Sequence, residues 1–249
     1  MNDGQTRTLM VVHIPKAAGT TLRWIMDRQY PQASMFKIGD DIPDERVRLR
    51  ELPDKRKLAL RVVFGHMCWG WHEELAWGQG YQYLTMLREP TERVLSLYAY
   101  AFLPDHYMSD AVEGMGVQQY VESGVTRTCD NGMVRQLCGE DAFLREPYED
   151  MVLPFRGVTR QHLETAKRNL ERCVVVGLAE QFDATMDLCR QRLGWRIPAF
   201  KNQNITRWPR PKREEQDQAT LDAIAAHNAL DLELYHHARA LFQKQRGQR

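Results

Sequence analysis

The sequence has no apolar run long enough for a bilayer. No segment reaches the roughly 18 uninterrupted apolar residues of a membrane helix, and the polar start from Met1 to Leu9 carries no apolar signal region. The expectation is a cytoplasmic protein without a membrane span. Net charge is nearly absent too, with 34 Lys and Arg against 33 Asp and Glu, a formal +1. That balance argues against a general nucleic-acid binder, which carries a large basic excess; an anionic ligand has to be met by a local cluster of charge. Cysteine is scarce. Cys68, Cys129, Cys138, Cys173 and Cys189 are odd in number and fit no common zinc spacing, so they read as reduced, mostly buried thiols. There is no internal repeat, no low-complexity tract and no Asp-rich strand end of the Walker B kind.

What is present fits one α/β domain over residues 1–249, of which 43% are apolar. Short apolar runs at Thr8–Ile14, Leu58–Phe64, Tyr83–Leu87 and Cys173–Gly177 read as buried strands. Helical periodicity follows at Thr20–Arg28, Thr91–Phe102, Gln161–Arg172 and Gln181–Leu193. A long amphipathic stretch, Glu214–Gln245, closes the chain. Asp40–Lys57 reads as a connection with one short helix, and Leu103–Phe155 as irregular chain with short helical pieces, Asp130–Leu137 the best of them. Strands alternating with helices predict a phosphate-loop-type three-layer sandwich, a central and mostly parallel sheet flanked by helices.

The most informative segment is His13-Ile-Pro-Lys-Ala-Ala-Gly-Thr-Thr21, where a buried strand turns into a helix. A helix start offers unpaired N–H groups and partial positive charge to an anion. Gly19 lets the backbone come close, Thr20 and Thr21 add hydroxyls, and Lys16 supplies a mobile charge. The order is not that of a Walker A loop, in which Lys follows the last Gly. A second strand-to-helix turn, Leu87-Arg-Glu-Pro-Thr-Glu-Arg-Val-Leu-Ser96, places Arg88 at a strand end and Ser96 two turns into the next helix. A guanidinium and a hydroxyl suit a terminal phosphate.

These two segments resemble the 5′-phosphosulfate loop and the 3′-phosphate motif of sulfotransferases that use 3′-phosphoadenosine 5′-phosphosulfate (PAPS). The resemblance is to the carbohydrate branch that includes the heparan sulfate 2-O-sulfotransferases, although Ala17 stands where Thr is usual. Asn131–Gly139, Val176–Phe182 and Asp231–Tyr235 resemble further segments of that family. The resemblance implies a sulfuryl transfer from PAPS to a hydroxyl, on a sugar or glycoconjugate. It implies nucleotide contacts from Lys16, Ala17, Ala18, Gly19, Thr20, Thr21, Arg88 and Ser96. It requires no metal, because sulfuryl carries less charge than phosphoryl and basic side chains can balance it.

The chemistry asks for a base on the acceptor hydroxyl and positive charge on the leaving phosphate. Lys16 suits the second task. His66, at the end of a strand and titrating near neutral pH, suits the first; in the 2-O branch a His of a Gly-His pair is the proposed base. Glu73 and Glu74 are the next candidates. Trp69, Trp71 and Trp77 are divided between stacking on a sugar ring and anchoring a loop. Arg93 matches a recurring basic position of the family's motif and otherwise reads as a helix-surface charge or an ion pair. Lys201–Arg213 is a candidate for covering bound nucleotide or attracting an anionic polymer, with Arg127 and Arg135 as helpers. Two alternatives stand beside the transferase: a nucleotide-dependent kinase on a related phosphate-loop fold, and a non-catalytic nucleotide or polysaccharide binder.

Overall fold

A computed structural model of the chain describes residues 7–39, 42–103, 106–139, 153–197 and 210–248. Five strands form one parallel sheet: β1 (Thr8–Val12), β2 (Met35–Lys37), β3 (Val62–Gly65), β4 (Tyr81–Leu87) and β5 (Cys173–Leu178), in the order β2-β3-β1-β4-β5. Helices flank it in a three-layer α/β sandwich. These are α1 (Gly19–Gln29), α2 (Ile42–Glu51), α3 (Asp54–Leu58), α4 (Pro90–Ala101), α5 (Ser109–Val112), α6 (Val117–Glu122), α7 (Gly132–Cys138), α8 (Arg160–Glu171), α9 (Phe182–Leu193), α10 (Gln218–His227) and α11 (Ala229–Gly247).

The central strand β1 is buried at all five positions, as expected of an apolar run covered on both faces. Its register, Val12 opposite Gly65 on β3 and opposite Thr85 on β4, brings three strand ends to one edge. From β1 the chain steps to β2 and β3 on one side, then crosses to β4 and β5 on the other. The crevice at such a reversal is where ligands gather in open α/β sheets. A smaller apolar cluster under α4 adds Val112, Tyr120, Val121, Cys129 and Ile224 to Val94 and Leu95. The five cysteines are all free and buried.

Several elements differ from the sequence expectation. The strand expected over Leu58–Phe64 is confined to Val62–Gly65; Leu58 instead ends α3 and is 59% exposed. The connection Asp40–Lys57 holds two helices rather than one, and the three-residue edge strand β2 was too short to announce itself. The stretch Glu214–Gln245 is broken at Asn228. There the side-chain amide donates to the carbonyls of Ile224 and Cys129 and competes with the helical ladder.

Candidate active site

The loop between β1 and α1 is shaped by two non-glycine residues in the left-handed region, Lys16 at φ 65° and Ala18 at φ 60°. Each costs on the order of 1 kcal/mol, a strain that persists only where the surroundings enforce it. Left-handed residues in such a loop turn neighbouring N–H groups toward a common centre, a concavity suited to an anion. α1 then opens with Ala18 as its cap, without a side-chain cap bond and without an acidic residue in its first turn. α4 opens in the opposite way. The Glu89 carboxylate accepts from Glu92 N at 2.8 Å, and Glu92 is itself acidic in that first turn. An incoming anion is therefore accommodated at α1, whereas the positive end of α4 is already answered.

The two turns touch. Arg88, at the end of β4, donates from Nη1 to the Lys16 carbonyl at 3.0 Å. Lys16 Nζ lies 3.9 Å from the centre of the Tyr100 ring, and its pKa is pushed down to about 8, first by burial and then by Arg88 and Arg210. Arg88 and Arg210 both lean on one carboxylate, Glu92; Arg88 reaches it at 3.7 Å, and Arg210 is in direct hydrogen-bond contact. Crowding cations around a partly buried lysine is unfavourable unless an anion joins them. This arrangement fits the phosphates of a nucleotide. Ser96 lies two turns into α4 and is 6% exposed. Thr21 is buried and Thr20 exposed at the start of α1. Glu92, Ser96 and Tyr100 follow one another at helical i, i+4 spacing, a signal from which Tyr100 was readable.

Gly19 is required by His13. A Cβ built at Gly19 would lie 1.6 Å from His13 Nε2. The His13 imidazole in turn stacks on Phe64, centroids 5.3 Å apart, and on His66, centroids 4.3 Å apart. Desolvation, then His66 and Lys16, hold His13 well below its usual pKa, so this ring is neutral. His66 follows Gly65 at the end of β3 and contacts the His13 carbonyl through Nδ1 at 2.9 Å. Gly65 is needed where the chain passes Ile38, because a Cβ there would fall 2.4 Å from the Ile38 Cβ.

Other candidates fall into place as structure. Glu74 is held by Arg46 and Arg50 at 2.8 and 2.9 Å, and its carboxyl is pulled down to about 2, first by the Arg50 hydrogen bond; a carboxylate so stabilised is a poor base. Glu73 is exposed and 3.9 Å from Arg46. Trp69 and Trp71 are core residues at 6% and 1% exposure, whereas Trp77 is fully exposed.

Arg93 is not a surface charge. It is fully buried against Asp231, 3.1 Å away, and donates to the carbonyl of Thr128. Asp231 also accepts from the backbone of Met133 and Val134, and Asn131 Oδ1 accepts from Leu230 N and Asp231 N. Arg135 is buried, paired with Asp130 and bonded to the carbonyls of Leu153 and Pro154, so it is not available to a polymer; Arg127 also donates to the Leu153 carbonyl. Tyr235 donates to Glu180, which accepts from Glu89 N beside Arg88. The Asn131, Glu180 and Asp231–Tyr235 segments thus brace the second turn from behind. Of the basic loop Lys201–Arg213, residues 201–209 lie outside the described residues. Lys212 and Arg213 are exposed, Arg213 lying 3.7 Å from Glu89.

No family profile matches the sequence. Curated relatives do. Over 186 residues, 66% of this chain, it is 28% identical to heparan-sulfate 6-O-sulfotransferase 2 of Gallus gallus, covering 45% of that protein. Over 186 residues, again 66% of this chain, identity to heparan-sulfate 6-O-sulfotransferase 2 of Homo sapiens is 26%, covering 30% of that protein. Over 195 residues, 67% of this chain, identity to human heparan-sulfate 6-O-sulfotransferase 3 is 25%, covering 39% of that protein. The chain therefore spans less than half the length of these relatives. The similarity supports a sulfotransferase, and these relatives are named for the 6-O position, whereas the motifs and the Gly65-His66 pair had pointed to the 2-O branch.

Proposed function

We propose that the chain is a sulfotransferase that moves a sulfuryl group from PAPS to a hydroxyl on a carbohydrate, a sugar 6-hydroxyl being the favoured acceptor given the names of its relatives. The observation that carries this reading is the meeting of the two turns, with Arg88 bonded to the Lys16 carbonyl beside the uncapped start of α1.

In this reading Lys16 and the backbone of Ala17, Ala18, Gly19, Thr20 and Thr21 hold the 5′-phosphosulfate end of the donor. Arg88 and Ser96 hold the 3′-phosphate. His66 takes the acceptor proton as the hydroxyl oxygen bonds to sulfur. The bond from sulfur to the phosphate oxygen breaks, and the charge left on that phosphate is met by Lys16. A charge that develops only along the reaction is stabilised most by groups already fixed in place. The fold gives that fixity, because Lys16, His66 and Arg88 each follow directly or closely on a strand of one sheet.

The test is transfer of radiolabelled sulfate from PAPS to desulfated heparan sulfate, with the acceptor then digested to disaccharides. Label at a 6-hydroxyl is expected. Label on no carbohydrate, with magnesium-dependent consumption of ATP instead, would replace this reading by the kinase.

A further inference from the structure

A carbonyl oxygen only accepts hydrogen bonds. The 2.9 Å contact between His66 Nδ1 and the His13 carbonyl therefore places the ring proton on Nδ1 and makes Nε2 the lone-pair nitrogen of the neutral imidazole. That same carbonyl receives a second hydrogen bond, from Gln136 Nε2 at 2.9 Å. The other N–H of the Gln136 amide goes to the Met67 carbonyl, also at 2.9 Å. One amide thus grips both the oxygen that orients the His66 ring and the residue that follows His66 in the chain. The Gln136 backbone joins in, its carbonyl accepting from Trp69 N at 2.9 Å.

The orientation of this amide is fixed by chemistry, since a flip would set Oε1 against two carbonyl oxygens. Gln136 is 1% exposed, and its Oε1 has no hydrogen-bond partner among the described residues. An unpaired buried acceptor costs stability. A methionine would fill the same volume without that cost. The amide is therefore a costly way to fill space and a specific way to hold two carbonyls.

We infer that Gln136 is a positioning residue for the base: it clamps the carbonyls of His13 and Met67 around His66 and so holds the tautomer in which Nε2 accepts the acceptor proton. The inference rests on the reading of His66 as base, and its test separates the two. Nitrogen-15 NMR of the imidazoles, with His66 assigned by its loss in His66→Ala, is expected to show the Nδ1-protonated tautomer in the unaltered chain. In Gln136→Met the expected result is a shift toward the Nε2-protonated tautomer and a fall in kcat of about tenfold or more. The Kd for adenosine 3′,5′-bisphosphate should stay within about twofold. Should Gln136→Met not fold, Gln136→Glu keeps the shape, donates at most one hydrogen bond, and should shift kcat and tautomer the same way. A proton on Nε2 in the unaltered chain overturns the inference. So does a variant with unchanged tautomer and kcat, or one that loses nucleotide affinity as much as kcat. Full turnover in His66→Ala would instead remove His66 as base, while the spectrum would still decide the clamp.

Discussion

Replacing Gly19 by alanine tests the packing beneath both the phosphate loop and the base. Gly19 opens α1, where its backbone is helical, so alanine is not excluded by conformation. On propensity alone, Gly→Ala in a helix gains roughly 0.5–1 kcal/mol. Packing opposes that gain. The new Cβ would stand 1.6, 2.1 and 2.3 Å from three atoms of the His13 ring, and contacts under 3.0 Å do not occur. The ring has little freedom to retreat, being stacked on Phe64 and on His66, with its backbone N bonded to the Gly65 carbonyl at 2.9 Å. Overpacking of this kind costs about 1–3 kcal/mol. The net expectation is a loss of about 1–2 kcal/mol, a fall in Tm of about 3–6 °C for a chain of this size. Displacing His13 also tilts His66, so kcat should fall more steeply than nucleotide affinity. Thermal unfolding followed by circular dichroism, with turnover measured on the same preparation, gives both readings. A Gly19→Ala protein with raised Tm and full turnover would refute the account of the His13–Gly19 contact.

Two further outcomes are expected. Lys16 has a pKa lowered to about 8, and it must be charged to meet the leaving phosphate, so kcat/KM, which reports the free enzyme, should decline as pH rises through about 8; a flat alkaline profile to pH 10 would remove Lys16 from that role. Asp231→Ala leaves Arg93 buried without its partner and strips acceptors from Met133 and Val134 N, so urea unfolding should show a loss of about 3–5 kcal/mol; a loss under 1 kcal/mol would contradict the bracing assigned to the C-terminal segment.

The parts of the site that were legible in the sequence are those whose chemistry is written locally. Thr8–Thr21 and Leu87–Ser96 each run from strand through turn into helix within a short stretch of chain, and Pro90 marks the first turn of α4 as a proline there should. The buried placements of Arg93 and Gln136 were not legible, because their partners are remote. Gln136 reaches a carbonyl 123 residues away, and Arg93 an aspartate 138 away. The break at Asn228 was hidden for the same reason: its amide is drawn to Cys129, on a different element. The Trp residues show the limit of composition, since three rings within nine positions divide into two core anchors and one exposed side chain that only the packing distinguishes.

The central claim is that the two turns hold opposite ends of one doubly phosphorylated adenosine, and isothermal titration calorimetry reaches it directly. Adenosine 3′,5′-bisphosphate should bind the unaltered chain at least about tenfold more tightly than adenosine 5′-phosphate, as one charge-assisted contact of about 1.5–3 kcal/mol requires. Arg88→Ala should erase most of that difference while weakening the monophosphate only slightly, through the lost bond to the Lys16 carbonyl. Equal affinity for the two nucleotides, or an Arg88→Ala protein that keeps the preference, would contradict the claim.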